Sequence, residues 1–157
     1  MKVAGLHRSA PIALGITLAF ATVAGANAPA GRYTFSGAAG AMTVYDTKTK
    51  LTWQQTGPAT TDALTAAMSY CPTVGASLGG TGWRLPTVKE LLTLVDFSQP
   101  TGLLIDLNAF PGTMSVGYWS SSVYFPSGSS VFWTVNFKSG YVDPHNIPGP
   151  YAIRCVR

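Results

Sequence analysis

Charge is what this sequence has least of. Only 10% of its 157 residues are charged, ten Lys or Arg against six Asp or Glu, against roughly 25% in an ordinary soluble domain. The carboxylates Asp96, Asp106 and Asp143 stand apart with no Asp-x-Asp run, whereas calcium wants about six to eight oxygen ligands. The cations are also spread singly, which is not the clustered basic face of a nucleic-acid binder. Histidine is nearly missing: His7 and His145 are the whole supply. His145 stands beside Asp143 with no Gly-x-Ser-x-Gly elbow and no orienting helix, so a Ser–His–Asp hydrolase does not follow. Zinc is short of ligands as well. Gly79-Gly80-Thr81-Gly82 lacks the Lys-Ser/Thr that a phosphate-cradling loop requires. We therefore expect no enzyme and assign no cofactor, leaving a structural calcium open. With 46% apolar and 11% aromatic residues, the chain is not of the disordered class.

No apolar run is long enough to span a membrane, which takes about 20 residues. The longest, Ala10 to Ala24, follows Lys2 and Arg8 and precedes small residues. That order reads as a cleaved secretory signal over residues 1–26, with the chain secreted or periplasmic. Cleavage fits after Ala26 or after Ala28, the first leaving no proline at the new amino terminus. A buried helix of the domain is the alternative. Loss of Lys2 and Arg8 lowers the formal charge of +4 by two, so part of the basicity belongs to the leader.

The rest divides into a short leader, 27–32, and one domain, 33–157. Tyr33-Thr34-Phe35, Met42-Thr43-Val44-Tyr45 and Leu51-Thr52-Trp53-Gln54 are β-branched and aromatic and read as strands. Asp46 to Lys50 is a polar turn. Thr60-Thr61-Asp62 offers caps for a helix whose buried stripe runs Ala63, Leu64, Ala67, Met68, Cys71 and which Pro72 ends. Thr87 and Glu90 make a capping box for a second helix burying Leu91, Leu92, Leu94 and Val95. Val131, Trp133, Val135 and Phe137 alternate with Phe132, Thr134 and Asn136, a strand with one apolar face. Lys138-Ser139-Gly140 turns the chain into Tyr141-Val142, Asp143 to Pro150 reads as a Pro-rich loop, and Tyr151 to Arg157 as a closing strand.

Cys71 and Cys155 are the only cysteines. In an exported chain an even count favours a disulfide; two free thiols, one of them nucleophilic, are the alternative.

Trp83-Arg84-Leu85-Pro86-Thr87, Lys89-Glu90-Leu91, Tyr118-Trp119-Ser120-Ser121-Ser122 and Arg154-Cys155-Val156-Arg157 occur in this order. Val44-Tyr45-Asp46, Leu51-Thr52-Trp53-Gln54 and Tyr70-Cys71 stand upstream of them. From Met42 to Arg157 this set resembles the Lcl C-terminal domain family, named for the last domain of a Legionella collagen-like adhesin. The resemblance implies an α+β, C-type lectin-like fold related to the formylglycine-generating enzyme. It would have two helices flanking a small twisted antiparallel sheet, termini brought together, and one long-range disulfide joining Cys71 to Cys155. Trp53, Trp83, Arg84, Pro86, Thr87, Glu90, Trp119 and Trp133 would then be structural, the tryptophans primarily as core. The related enzyme oxidises a substrate cysteine with two active-site cysteines; here a disulfide leaves none to spare, so that activity is not carried over. Calcium-dependent lectins of the fold carry Glu-Pro-Asn or Gln-Pro-Asp and Trp-Asn-Asp. Gln99-Pro100-Thr101 and Trp133-Thr134-Val135-Asn136 depart from both, which speaks against a calcium-bridged sugar site.

Binding remains. From Tyr118 to Tyr151 aromatic residues alternate with Ser, Gly and Asn, the composition of recognition surfaces. Tyr124, Phe125 and Tyr141 are the surface candidates, with Lys138 and His145 beside them, and Trp119 and Trp133 are expected inside. The expected partner is a glycan or a surface protein, with Lys138 suited to an acidic glycan. The alternative is an oligomerising assembly module, since the family's adhesin domain follows a collagen-like stalk and can form trimers; Asn27 to Arg32 holds no Gly-X-Y run. An enzyme of unknown type is the second alternative, and a diversified display surface, as in related variable proteins, is a further reading.

Overall fold

Three short runs of β-branched and aromatic residues fold into the first sheet of the structure, a computed structural model that describes residues 28–157 (side chains of 127–129 excepted). The signal reading of 1–26 lies outside the described residues. Strands β1 (Tyr33–Ser36), β2 (Thr43–Asp46) and β3 (Leu51–Gln54) form an antiparallel meander in the order β1-β2-β3. The β2–β3 turn is organised by Asp46, which is fully buried. Its Oδ1 accepts the Lys48 N–H at 2.9 Å while Oδ2 accepts from Arg32 Nη2 at 3.0 Å. Burial is the largest single influence and would raise this carboxyl, but the Arg32 hydrogen bond, the Lys48 N–H, the Arg32 charge and Thr49 together outweigh it and hold Asp46 below the usual carboxylate range.

The helices α1 (Leu64–Thr73), α2 (Gly75–Leu78) and α3 (Val88–Leu92) follow. Helix α1 buries Leu64, Ala67 and Cys71, positions i, i+3 and i+7 of one face. Met68, expected in that stripe, is 52% exposed. None of Thr60, Thr61 and Asp62 is the cap: Ala63 is, without a side-chain bond, because Asp62 exchanges backbone hydrogen bonds with Tyr151. Pro72 lies inside α1, in its last turn; α2 was not expected. Helix α3 carries the expected capping box, with Thr87 Oγ1 accepting from the Glu90 N–H and Glu90 Oε2 accepting from the Thr87 N–H. Leu91 and Leu94 are buried, but Leu92 is 40% exposed, because the helix ends there.

Strands β4 (Gly117–Val123), β5 (Val131–Asn136) and β6 (Val142–Asn146) make a second antiparallel sheet, ordered β4-β5-β6. The expected single sheet is thus two, with three short helices. Strand β6 takes up residues expected to be loop, and a turn of 3-10 helix (Phe125–Ser130) joins β4 to β5. Both faces of β5 are covered, since Phe132 and Thr134 are buried along with Val135 and Phe137. Trp133, expected inside, is only half-buried.

Residues Tyr151–Arg157 lie between the sheets as an extended segment held by isolated bridges, rather than as a ladder strand. Ala152 and Val156 enter one hydrophobic cluster with Trp53, Leu91, Phe110 and Phe137. Ile153 and Cys155 enter the other, with Leu64, Trp83, Trp119 and Phe132. This two-residue alternation is that of a strand buried on both faces. Cys155 is disulfide-bonded to Cys71, 84 residues earlier, and no cysteine is free.

Candidate functional site

The residues that carry the family pattern build scaffold. Trp83, 3% exposed, donates its indole N–H to the Gly79 carbonyl at 2.9 Å, and fully buried Trp119 donates to the Asp62 carbonyl at 2.8 Å. Trp53 is fully buried with its indole N–H unpaired. The Arg84 guanidinium grips both Glu90 oxygens, at 2.9 and 2.7 Å. That grip, ahead of the opposing effect of burial, lowers the Glu90 carboxyl. Pro86 accepts the Ser121 N–H at 2.8 Å, and Ser122 Oγ accepts from the first free amide of α3, Val88 N, at 3.1 Å. The serine run therefore clamps α3 onto β4. Arg84 also pairs with Val156, so the four motifs meet around one joint.

The surface candidates are not one group. The β4–β5 and β5–β6 turns lie at opposite ends of the second sheet. The five steps of β5 between them, at about 3.3 Å each, amount to roughly 17 Å. At the first end Tyr124 packs edge-on against Trp133, with ring centroids 5.0 Å apart, and Phe125 is 86% exposed. At the other end stand Lys138 and Tyr141, both exposed. On the face shared with Trp119, the His145 and Tyr151 rings lie 4.4 Å apart with Nδ1 and the phenol oxygen at 2.7 Å. Burial, and after it the Asp143 charge, raises the Tyr151 phenol.

The β5–β6 turn is the more fully built of the two ends. Gly140 takes φ +73°, a left-handed conformation that an L side chain rarely adopts. Its N–H donates to the Asn136 carbonyl at 2.7 Å, and Asn136 Oδ1 accepts from the Lys138 N–H at 2.8 Å. A Cβ on Gly140 would stand 2.7 Å from the Phe97 ring, so Phe97 lies directly over the turn. Phe97 is 73% exposed and Tyr141 70%. The Leu104 N–H, donating to the Phe137 carbonyl at 2.6 Å, ties the 96–104 loop to the same strand. Within that loop Asp96 accepts from the Ser98 N–H, its hydroxyl and the Gln99 amide. These bonds outweigh burial and keep its carboxyl low. Sequence reasoning missed Phe97; an aromatic between Asp96 and Ser98-Gln99-Pro100, in a polar turn, was the available signal. The result is two exposed aromatic rings and one lysine at the same end of the sheet, groups able to stack on a flat apolar face and to pair with an anion. Among the described residues no group of three or more His, Cys, Asp or Glu side chains is placed to hold a metal.

No curated protein matches the chain. The sequence profile of the Lcl C-terminal domain matches residues 42–157, from the foot of β2 to the last residue. The match covers both sheets except β1, all three helices and every motif of the joint, and by it this chain belongs to the Lcl C-terminal domain family.

Proposed function

We propose that this chain is an exported, adhesin-type recognition domain without enzymatic activity, binding a glycan or a surface protein through the β5–β6 turn. The observation that carries the reading is that Phe97, lying over Gly140, and Tyr141, the next residue after Gly140, are each more than two-thirds exposed at the end of the sheet that carries Lys138. Exposed aromatic rings on a fully bonded turn are preorganised for contact, and Lys138 favours an acidic ligand. The disulfide supports the non-enzymatic part, since it occupies both cysteines.

We read the fold as a branch of the C-type lectin-like class. Supporting this, Cys155 ties α1 to the closing segment. Arg32 pairs with Thr47, and Arg157 with Thr52, which brings both ends of the domain to the β2–β3 turn. Export through a cleaved signal is part of the same reading and agrees with an oxidised cysteine pair.

The test is a glycan array and a pull-down from cell surfaces, repeated with F97A/Y141A and with F125A. Loss of about tenfold or more in the first variant and none in the second is expected; full binding by F97A/Y141A contradicts the reading.

A further inference from the structure

Asp106 is 7% exposed, and among the described residues no lysine or arginine side chain pairs with it. Its two carboxylate oxygens have separate tasks. Oδ1 closes the turn that follows, accepting the Asn108 N–H at 2.9 Å and the Ala109 N–H at 3.2 Å. The Asp106 carbonyl completes that turn by accepting the Phe110 N–H at 2.9 Å. Oδ2 takes no part in it. Instead it accepts the N–H of Ala28, 78 positions earlier, at 3.2 Å. A carboxylate this buried is ordinarily paired with a cation, because neutral donors alone repay only part of its lost hydration. Among the described residues Oδ2 has one neutral partner and no charged one.

The wall around Asp106 holds no other charge. Beside it lies an open pocket with about 160 Å³ of free space, bounded by the 28–31 leader, by Tyr33 and Phe35 of β1, and by Asn108 and Ala109. Tyr33 is the only other titratable residue of that wall, and burial pushes its phenol up, so it stays neutral. The far end of the leader is already fastened by charge: Arg32 Nη2 donates to Asp46 Oδ2 at 3.0 Å and to the Thr93 carbonyl at 2.6 Å. The near end, at Ala28, is fastened by one hydrogen bond.

We infer, resting on the cleaved signal proposed above, that Asp106 Oδ2 is the seat of the mature chain's own α-ammonium group. Cleavage after Ala26 makes Asn27 the first residue. Its nitrogen is then within about 4 Å of the Ala28 nitrogen by covalent geometry, a positive charge in reach of an uncompensated carboxylate. Before cleavage the same nitrogen is a neutral amide, so the lock closes only on the processed chain. Signal removal supplies the missing cation, and the leader becomes a strap held by an ion pair at each end, keeping β1 in its sheet. The seat also selects between the two cut points, since cleavage after Ala28 would remove the donor that Oδ2 now has.

The test uses the chain as exported, whose intact mass reads the first residue, beside a form carrying Gly-Ser ahead of Asn27 and the D106N variant of each. An opposite charge favours the protonated amine, so the Asn27 amine is expected to react with an acylating reagent at pH 7 about tenfold more slowly than the amine of the extended chain or of D106N. The extension is expected to lower the thermal midpoint by about 2–4 °C, and D106N to remove that difference. An amine rate that either change leaves unaltered, or an extension without effect on the midpoint, overturns the inference and leaves the export reading standing. An exported chain of unprocessed mass overturns both together.

Discussion

Arg154 is 1% exposed, and none of its hydrogen bonds goes to a carboxylate. Its guanidinium donates to the Gln54 carbonyl at 3.1 Å, to the Gln55 carbonyl, and to Thr113 Oγ1 at 2.9 Å. It also lies over the Phe110 ring, 4.8 Å from the centroid. Burial pushes the guanidinium pKa down, yet an arginine starts so high that it stays charged. It thus joins the end of β3, the 110–113 loop and the closing segment through two backbone carbonyls and one hydroxyl. R154A leaves a cavity and unpaired carbonyls, and is expected to cost about 3–5 kcal/mol in urea unfolding. A loss under about 1 kcal/mol would show that the carbonyls find water. The two ion pairs, half-buried Arg32 with fully buried Asp46 and exposed Arg84 with half-buried Glu90, act differently. Asp46 and Glu90 both have carboxyls held below their ordinary values, by Arg32 and Arg84. Folding therefore favours their ionised forms: the stabilisation is full above the unfolded values and lost as pH falls through the folded ones. The thermal midpoint should be level from about pH 7 to about pH 5 and fall below about pH 4. D46N should flatten that decline, and a wild-type midpoint unchanged at about pH 3 contradicts the assignment.

At the scale of elements, the β5–β6 turn couples stability to the surface that we assign to binding. G140A sets a Cβ against the Phe97 ring and imposes a positive φ on alanine. The expected outcome is a loss of about 1 kcal/mol or more together with weakened ligand binding, read in one sample by calorimetry and titration. Unchanged binding would separate the turn from recognition. Local chemistry made such elements legible in advance: the β2–β3 turn, the Thr87–Glu90 box and the Lys138–Gly140 turn each depend on residues a few positions apart. What sequence missed was set by distant packing. Trp133 sits half outside because Tyr124 and β6, not core, lie against it, and Phe132 is inside because α1 and Trp119 reach the other face of β5. Asp143 to Asn146 looks like loop for its proline, yet an edge strand tolerates proline on its free side. The candidate site was half legible: Tyr141 and Lys138 are neighbours in the chain, whereas Phe97 arrives from more than forty residues upstream and Tyr124 and Phe125 lie at the far end of the sheet.

Across the whole molecule, one extended segment and one covalent bond close the structure. Tyr151–Arg157 feeds two cores with alternate side chains, and Cys155 fastens it to α1. With the paired cysteines 84 positions apart, the cross-link is expected to contribute about 4–5 kcal/mol through the unfolded chain. C71S/C155S should lose most of that in denaturant unfolding, and a loss under about 1 kcal/mol would mean that the two cores close without the bond. Both sulfurs are fully buried, so mild reductant should leave the folded protein oxidised. Such a closed scaffold, with its motifs spent on one joint, leaves the sheet ends free to carry contacts. The most direct measurement of that claim is a backbone NMR titration of the intact chain with an acidic polysaccharide recovered from the array. Shifts concentrated at Phe97 and Lys138–Tyr141 are the predicted result; shifts confined to Tyr124–Phe125, to His145 and Tyr151, or to the motif joint would contradict it.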